Sequence, residues 1–108
     1  MDERLVERLD AVVAEHEDVL NRMADPGVIA EASGYQELLI RHGELKPLVE
    51  AYRAYRGAEQ ELNDAQDLLE GNVDQEMREF LQEVVAERTA DLERLDAGLR
   101  TLLVPKDP

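Results

Sequence analysis

Residues 5–23 read LVERLDAVVAEHEDVLNRM. Leu5, Leu9, Val12, His16, Val19 and Met23 recur there at alternating spacings of four and three. An α-helix completes a turn every ~3.6 residues, so this alternation lays one narrow apolar stripe along a single face. Val13 and Leu20 widen the stripe. Asp2 is placed to cap the start, and Asp2, Glu3 and Glu7 suit the positive end of the helix dipole. Asp25-Pro26-Gly27 stops the segment near Ala24. Pro26 can open a short helical turn to about Glu31, with Asp25 as its cap.

The next helical segment is expected to open at Ser33, which has capping-box spacing to Gln36. Tyr35, Leu38, Leu39, His42, Leu45, Leu48, Val49, Tyr52, Tyr55, Leu62, Ala65, Leu68 and Leu69 keep helical periodicity. Gly43, Pro47 and Gly57 weaken it. Proline removes a donor and crowds the carbonyl four residues back, so a kink or break is expected within residues 43–47. Gly71 is expected to end the segment as a left-handed cap.

A third segment is expected to start at Asn72 or Asp74, with capping-box-like spacing from Asn72 to Gln75, and to run to about Val104. Its stripe is Met77, Leu81, Val84, Arg88, Leu92, Leu95, Leu99 and Leu102. Two consecutive steps of four, Val84–Arg88–Leu92, make a stutter. At ~1.5 Å per residue the three segments are roughly 35, 55 and 45 Å long. Short links make antiparallel neighbours. The expected fold is therefore all-α: an elongated antiparallel three-helix bundle, its middle helix kinked or broken near Pro47. Residues 1–104 form the helical domain, and Pro105-Lys106-Asp107-Pro108 reads as the start of an interdomain linker.

Composition bounds the function. The chain has 108 residues, 44% hydrophobic and 35% charged, no cysteine, and a net charge of −14. Without cysteine there is no disulfide, thiol nucleophile or cysteine metal site. Phosphate backbones and anionic lipid heads attract lysine and arginine. A surface this acidic therefore disfavours direct nucleic-acid or membrane binding and suits a basic protein partner. Solubility alone is an equally good account of the charge. No stretch is apolar for long enough to span a bilayer, and the N-terminus lacks a signal-peptide core.

Catalytic chemistry is hard to find. With 26 acidic residues, carboxylate pairs arise by chance, and most belong to solvated helix faces with local ion pairs, such as Glu87–Asp91–Arg94. His16 and His42 fall on apolar stripes. A di-metal bundle needs Glu-x-x-His twice, but Val13 and Leu39 stand three residues before these histidines. Both are expected at the edge of the core. The glycines are isolated and make no phosphate loop. Tyr35, Tyr52 and Tyr55 could stack bases, yet their helical spacing fits a bundle core. No catalytic, cofactor-binding or metal-binding residue is assigned, and no enzyme activity is expected of this chain.

Residues Leu102-Leu103-Val104-Pro105-Lys106-Asp107-Pro108, after a Glu/Arg/Leu helix beginning at Glu76-Met77-Arg78-Glu79, resemble the boundary after the first domain of the bacterial peptide chain release factor 1 family. Leu45-Lys46-Pro47-Leu48-Val49-Glu50-Ala51-Tyr52 resembles that family's middle helix. His16-Glu17 and Ala24-Asp25-Pro26 resemble its first helix and turn. Arg41-His42 and Gly43 depart from the family pattern. The resemblance implies an accessory N-terminal domain of a cytoplasmic factor that directs peptide release at UAA and UAG. It implies a place at the base of the ribosomal stalk, against a basic ribosomal protein, with influence on the GTPase release factor. The family's Pro-x-Thr codon-reading tripeptide and Gly-Gly-Gln loop have no counterpart in this sequence, so no catalytic residue carries over. The isolated domain is expected to be a monomer. Without the resemblance, the seam residues Leu5, Leu9, Val12, Leu92, Leu95 and Leu99 also fit a free-standing acidic coiled-coil adaptor or chaperone-like dimer.

Overall fold

A computed structural model describes residues 1–104. The linker expected at Pro105–Pro108 lies outside the described residues. Four helices follow one another: α1 (Glu3–Met23), α2 (Pro26–Ile29), α3 (Ala32–Leu69) and α4 (Gln75–Leu103), with no strand among the described residues. The all-α class is as the periodicity requires. Two compact units divide the chain. Unit one is Met1–Glu50, and unit two begins at Ala51. Helix α3 gives its first part to one and the remainder to the other.

Local chemistry sets the helix ends. Asp2 accepts a hydrogen bond from the Leu5 N–H at 2.8 Å, and Asp25 accepts one from the Gly27 N–H at 2.8 Å. Each carboxylate satisfies a donor that the first turn leaves without an intrahelical partner. Pro26 occupies the first turn of α2, where its missing N–H costs nothing.

Two details differ from the expectation, at the start and at the end of α3. Helical bonding in α3 begins before Ser33: the Tyr35 N–H donates to the Glu31 carbonyl at 3.0 Å, and Ser33 lies inside the first turn. Of the two starts expected for α4, the one at Asp74 is used, its carboxylate accepting from the Met77 N–H at 2.8 Å. Gly71 is not left-handed. Instead α3 tightens at its end, with Glu70 N–H donating to Asp67 and Gly71 N–H to Leu68, both at 3.2 Å. These short-range bonds use the last carbonyls, so no left-handed residue is needed.

Of the kink or break expected near Pro47, the break does not occur: α3 is helical through the proline. The carbonyl a helical proline crowds belongs to the residue four back, which here is Gly43. Glycine has the freest backbone, and a Cβ at Gly43 would meet nothing within 4 Å. The place a side chain would take at Gly43, where the proline presses on the backbone, is therefore open.

In unit one the buried residues are Leu5, Leu9, His16, Val19, Leu45 and Val49. In unit two they are Tyr52, Tyr55, Ala58, Ala65, Leu81 and Leu99. Within unit two, Glu61 of α3 pairs with Arg88 of α4, while Asp96 is close enough to act on Tyr55. Partners move back along α4 as they move forward along α3, so these two helices are antiparallel. Leu20, Leu39, Leu68, Met77 and Leu102, all assigned to apolar stripes, are substantially exposed. Leu68, Met77 and Leu102 sit in terminal turns, where a helix has fewest neighbours to cover it.

Candidate interaction surface

The residues that could have carried chemistry are used for packing. His16 is buried and His42 half-buried, and their rings stack with centroids 5.0 Å apart and planes 27° from parallel. Both residues fall on apolar stripes, as their periodicities require, and the tertiary structure brings the two rings together. Among the described residues no group of three or more histidine, aspartate or glutamate side chains is arranged to hold a metal ion. Tyr52 and Tyr55 are buried, so they offer no stacking surface for bases. Arg56 donates to the Tyr52 hydroxyl through Nε at 3.1 Å and Nη2 at 2.7 Å, and to Glu59 through Nη1 at 3.0 Å. Burial pushes the Tyr55 phenol above its usual range, with the Glu59 and Asp96 carboxylates adding to the rise.

Two arginines tie helices together. In unit one Arg41 of α3 grips Glu15 of α1 with two parallel bonds, Nε to Oε1 at 2.9 Å and Nη2 to Oε2 at 2.6 Å. Its Nη1 donates to Glu44 at 2.8 Å. The fork of the guanidinium matches the carboxylate, the strongest geometry for such a pair. The hydrogen bond from Arg41 holds the Glu15 carboxyl below its usual range against a partial desolvation. In unit two Arg88 reaches Glu61 of α3 at 2.7 Å and also pairs with Asp91 and Glu87 of its own helix. Arg94 joins the same Asp91 at 3.5 Å. The Glu87, Asp91 and Arg94 set read from the sequence is thus real, with Arg88 as its hub. The signal was present: Arg88 is the one charged residue on the α4 stripe, at the stutter.

The surface that stands out lies where α3 ends and α4 begins. Leu68 is 57% exposed, Met77 47% and Phe80 59%. Phe80 is the only phenylalanine in the chain. Asp74, Glu76, Met77 and Phe80 line an open depression of about 390 Å³. The antiparallel pairing places Leu68 at the same end: Glu61 meets Arg88, so Leu68, seven residues on, comes level with residue 81. From 64 to 83 the sequence holds seven acidic residues (Asp64, Asp67, Glu70, Asp74, Glu76, Glu79, Glu83) and one base, Arg78. Sequence reading placed Met77 and Leu68 in the core and passed over Phe80. Its spacing of three from Met77 looks helical, and only the exposure of both side chains marks the pair as a surface.

Residues 12–108 match the PCRF domain family. Curated relatives include peptide chain release factor 1 of Clostridium botulinum (strain Hall), 36% identical over 104 residues, which cover 96% of this chain and 29% of that protein. The same-named protein of Syntrophobacter fumaroxidans is 35% identical over 104 residues, with the same two coverages. That of Symbiobacterium thermophilum is 36% identical over 102 residues, covering 94% of this chain and 29% of the relative. The chain therefore spans about three-tenths of the length of these relatives. No solved structure matches it significantly.

Proposed function

We propose, on the premise that this chain belongs to the PCRF domain family, that it is the helical N-terminal part of a peptide chain release factor and acts in translation termination. The observation that carries this reading is the near-complete match: 96% of the chain aligns with proteins named peptide chain release factor 1, and it takes up 29% of their length. The family resemblance of Leu102–Pro108 supports the type that acts at UAA and UAG. Its place of action is the ribosome, in the cytoplasm. No helix among the described residues is long and apolar enough to cross a membrane.

The chain acts as an accessory domain and supplies neither codon reading nor hydrolysis. Its partner is a basic ribosomal protein at the stalk base, and through that contact it influences the GTPase that recycles release factors. The net charge of −14 supports a protein contact over an RNA contact, because carboxylates cannot replace the counterions of a phosphate backbone.

Two measurements test this. Reading the source gene past the codon for Pro108 is expected to show an open frame encoding a Pro-x-Thr tripeptide and then a Gly-Gly-Gln loop. A stop codon directly after Pro108 would overturn the reading. In the second, this chain replaces the aligned segment of the Clostridium botulinum factor. The chimera is expected to release peptide from ribosomes halted at UAA, while the chain alone releases none. A folded chimera without activity, or release by the chain alone, counts against the accessory role.

A further inference from the structure

Three features of the end of unit two coincide. Leu68, Met77 and Phe80 are exposed at one end of an antiparallel helix pair. Phe80 and Met77 stand a helical turn apart, so their side chains share a face. Asp74 and Glu76 border the same depression. Around it the charge is one-sided, and the hydrogen bonds formed there do not cancel it. Asp64 accepts from the neutral amide of Gln60 at 2.9 Å, and Glu79 from that of Gln75 at 3.1 Å. Asp74 binds a backbone N–H. Each of these bonds leaves the carboxylate charge in place.

An exposed aromatic beside an exposed methionine is poor material for solubility and good material for binding. Aromatic side chains and methionine are enriched at protein interfaces, and a buried aromatic anchor commonly dominates the binding energy. The acidic rim selects the partner. A second copy of this chain would bring a second acidic rim against the first, and like charges across an interface are costly. Nucleic acid and anionic lipid are repelled in the same way.

We propose that the end of unit two, formed by the last turn of α3 and the first two turns of α4, is a docking surface for a lysine- or arginine-rich amphipathic protein segment. The segment seats an aliphatic or aromatic side chain between Met77 and Phe80. Its cations face Asp67, Glu70, Glu76 and Glu83. This surface stands on its own chemistry, independently of a role in termination.

The test uses the full chain and a fluorescent helical peptide of leucine and lysine, followed by anisotropy. Two control peptides accompany it: all-lysine of equal charge, and leucine with glutamate. The leucine–lysine peptide is expected to bind, the controls to bind far more weakly, and the affinity to fall steeply with salt. Phe80→Ser and Met77→Ser are each expected to weaken binding by about tenfold, and Glu76→Lys to weaken it with a reduced salt slope. Glu17→Lys, an equal charge change at an exposed position of α1, is expected to matter little. Because both apolar residues are already exposed, circular dichroism of the variants should be unchanged. If Phe80→Ser unfolds the chain, Met77→Ser decides. Equal binding by the all-lysine peptide, equal loss in Glu17→Lys, or a concentration-dependent dimer abolished by Phe80→Ser would each overturn the proposal. The assay contains no ribosome, so its failure leaves the termination reading untouched, and failure of the chimera leaves this surface untouched.

Discussion

Each unit is fastened by an arginine, and the two arginines work differently. Arg41 in unit one is about half exposed, yet it meets Glu15 with both prongs of its fork and turns its remaining nitrogen to Glu44. Arg88 in unit two is more covered, at 30% exposure, and distributes itself over Glu61, Asp91 and Glu87. One is a clamp between two helices, and the other is the hub of a network. The buried residues differ too. Unit one buries aliphatic side chains with His16, whereas unit two buries two tyrosines and two alanines beside its leucines. Unit one accordingly depends on geometry at its surface and bulk inside. Unit two places small residues, Ala58 and Ala65, in its interior together with the rings of Tyr52 and Tyr55. The difference teaches that an arginine's worth is set by how its fork is engaged as much as by how deeply it lies.

The largest effects should come from the interior and should be alike in the two units. Leu9 and Leu99 are both 0% exposed. Leu9→Ala and Leu99→Ala are each expected to cost about 2–5 kcal/mol in urea unfolding, as transfer and cavity terms require. A loss below about 1 kcal/mol at either site would show that its surroundings collapse around the void, breaking the symmetry.

Backbone substitutions should separate the units at an intermediate level. A helical glycine changed to alanine gains up to about 1 kcal/mol where space allows. A methyl group added at Gly57 in unit two would meet nothing within 4 Å, so Gly57→Ala is expected to raise the midpoint of thermal melting. Gly43 in unit one has the same open space but lies four residues before Pro47. Gly43→Ala is expected to gain less, and to recover the full gain in a Pro47→Ala background. Equal gains at both glycines in the native background would remove the role assigned to Gly43.

The smallest effects lie at opposite ends of the pH scale. The bond from Arg41 lowers the Glu15 carboxyl in the folded state. Its contribution is therefore present above the ordinary carboxylate value and is lost as pH falls through the lowered one. At about half exposure, solvent holds it to a few tenths of a kcal/mol, up to about 1. Glu15→Gln should flatten the acid limb of a stability–pH profile. Burial raises the Tyr55 phenol, so its contribution is present below the ordinary phenol value and is lost as pH rises from there through the raised one. Tyr55→Phe should flatten the alkaline limb and leave the acid limb unchanged. A variant that changes the opposite limb would dissolve the contrast between the units.

Much of this was legible from spacing. The alternation of four and three from Leu5 to Met23 marks a helix face, and Leu5, Leu9, His16 and Val19 are its buried members. Asp2 and Asp25 were readable as caps because a carboxylate before a helix has a local donor within reach. The end of α3 was not readable in the same way. Gly71 permits a left-handed cap without demanding one, and the short-range bonds from Glu70 and Gly71 satisfied the carbonyls first.

Helical class and acidic character were determined by sequence alone, since periodicity and charge are properties of the chain itself. Which stripe residues end up inside was decided by tertiary structure. Leu81 and Leu99 are covered by neighbours while Met77 and Leu102, on the same stripe, are not. The pairings Glu15–Arg41 and Glu61–Arg88 were decided there too. Each joins residues many turns apart in sequence, and a repeat of seven records which face a residue occupies but not which residue stands opposite it.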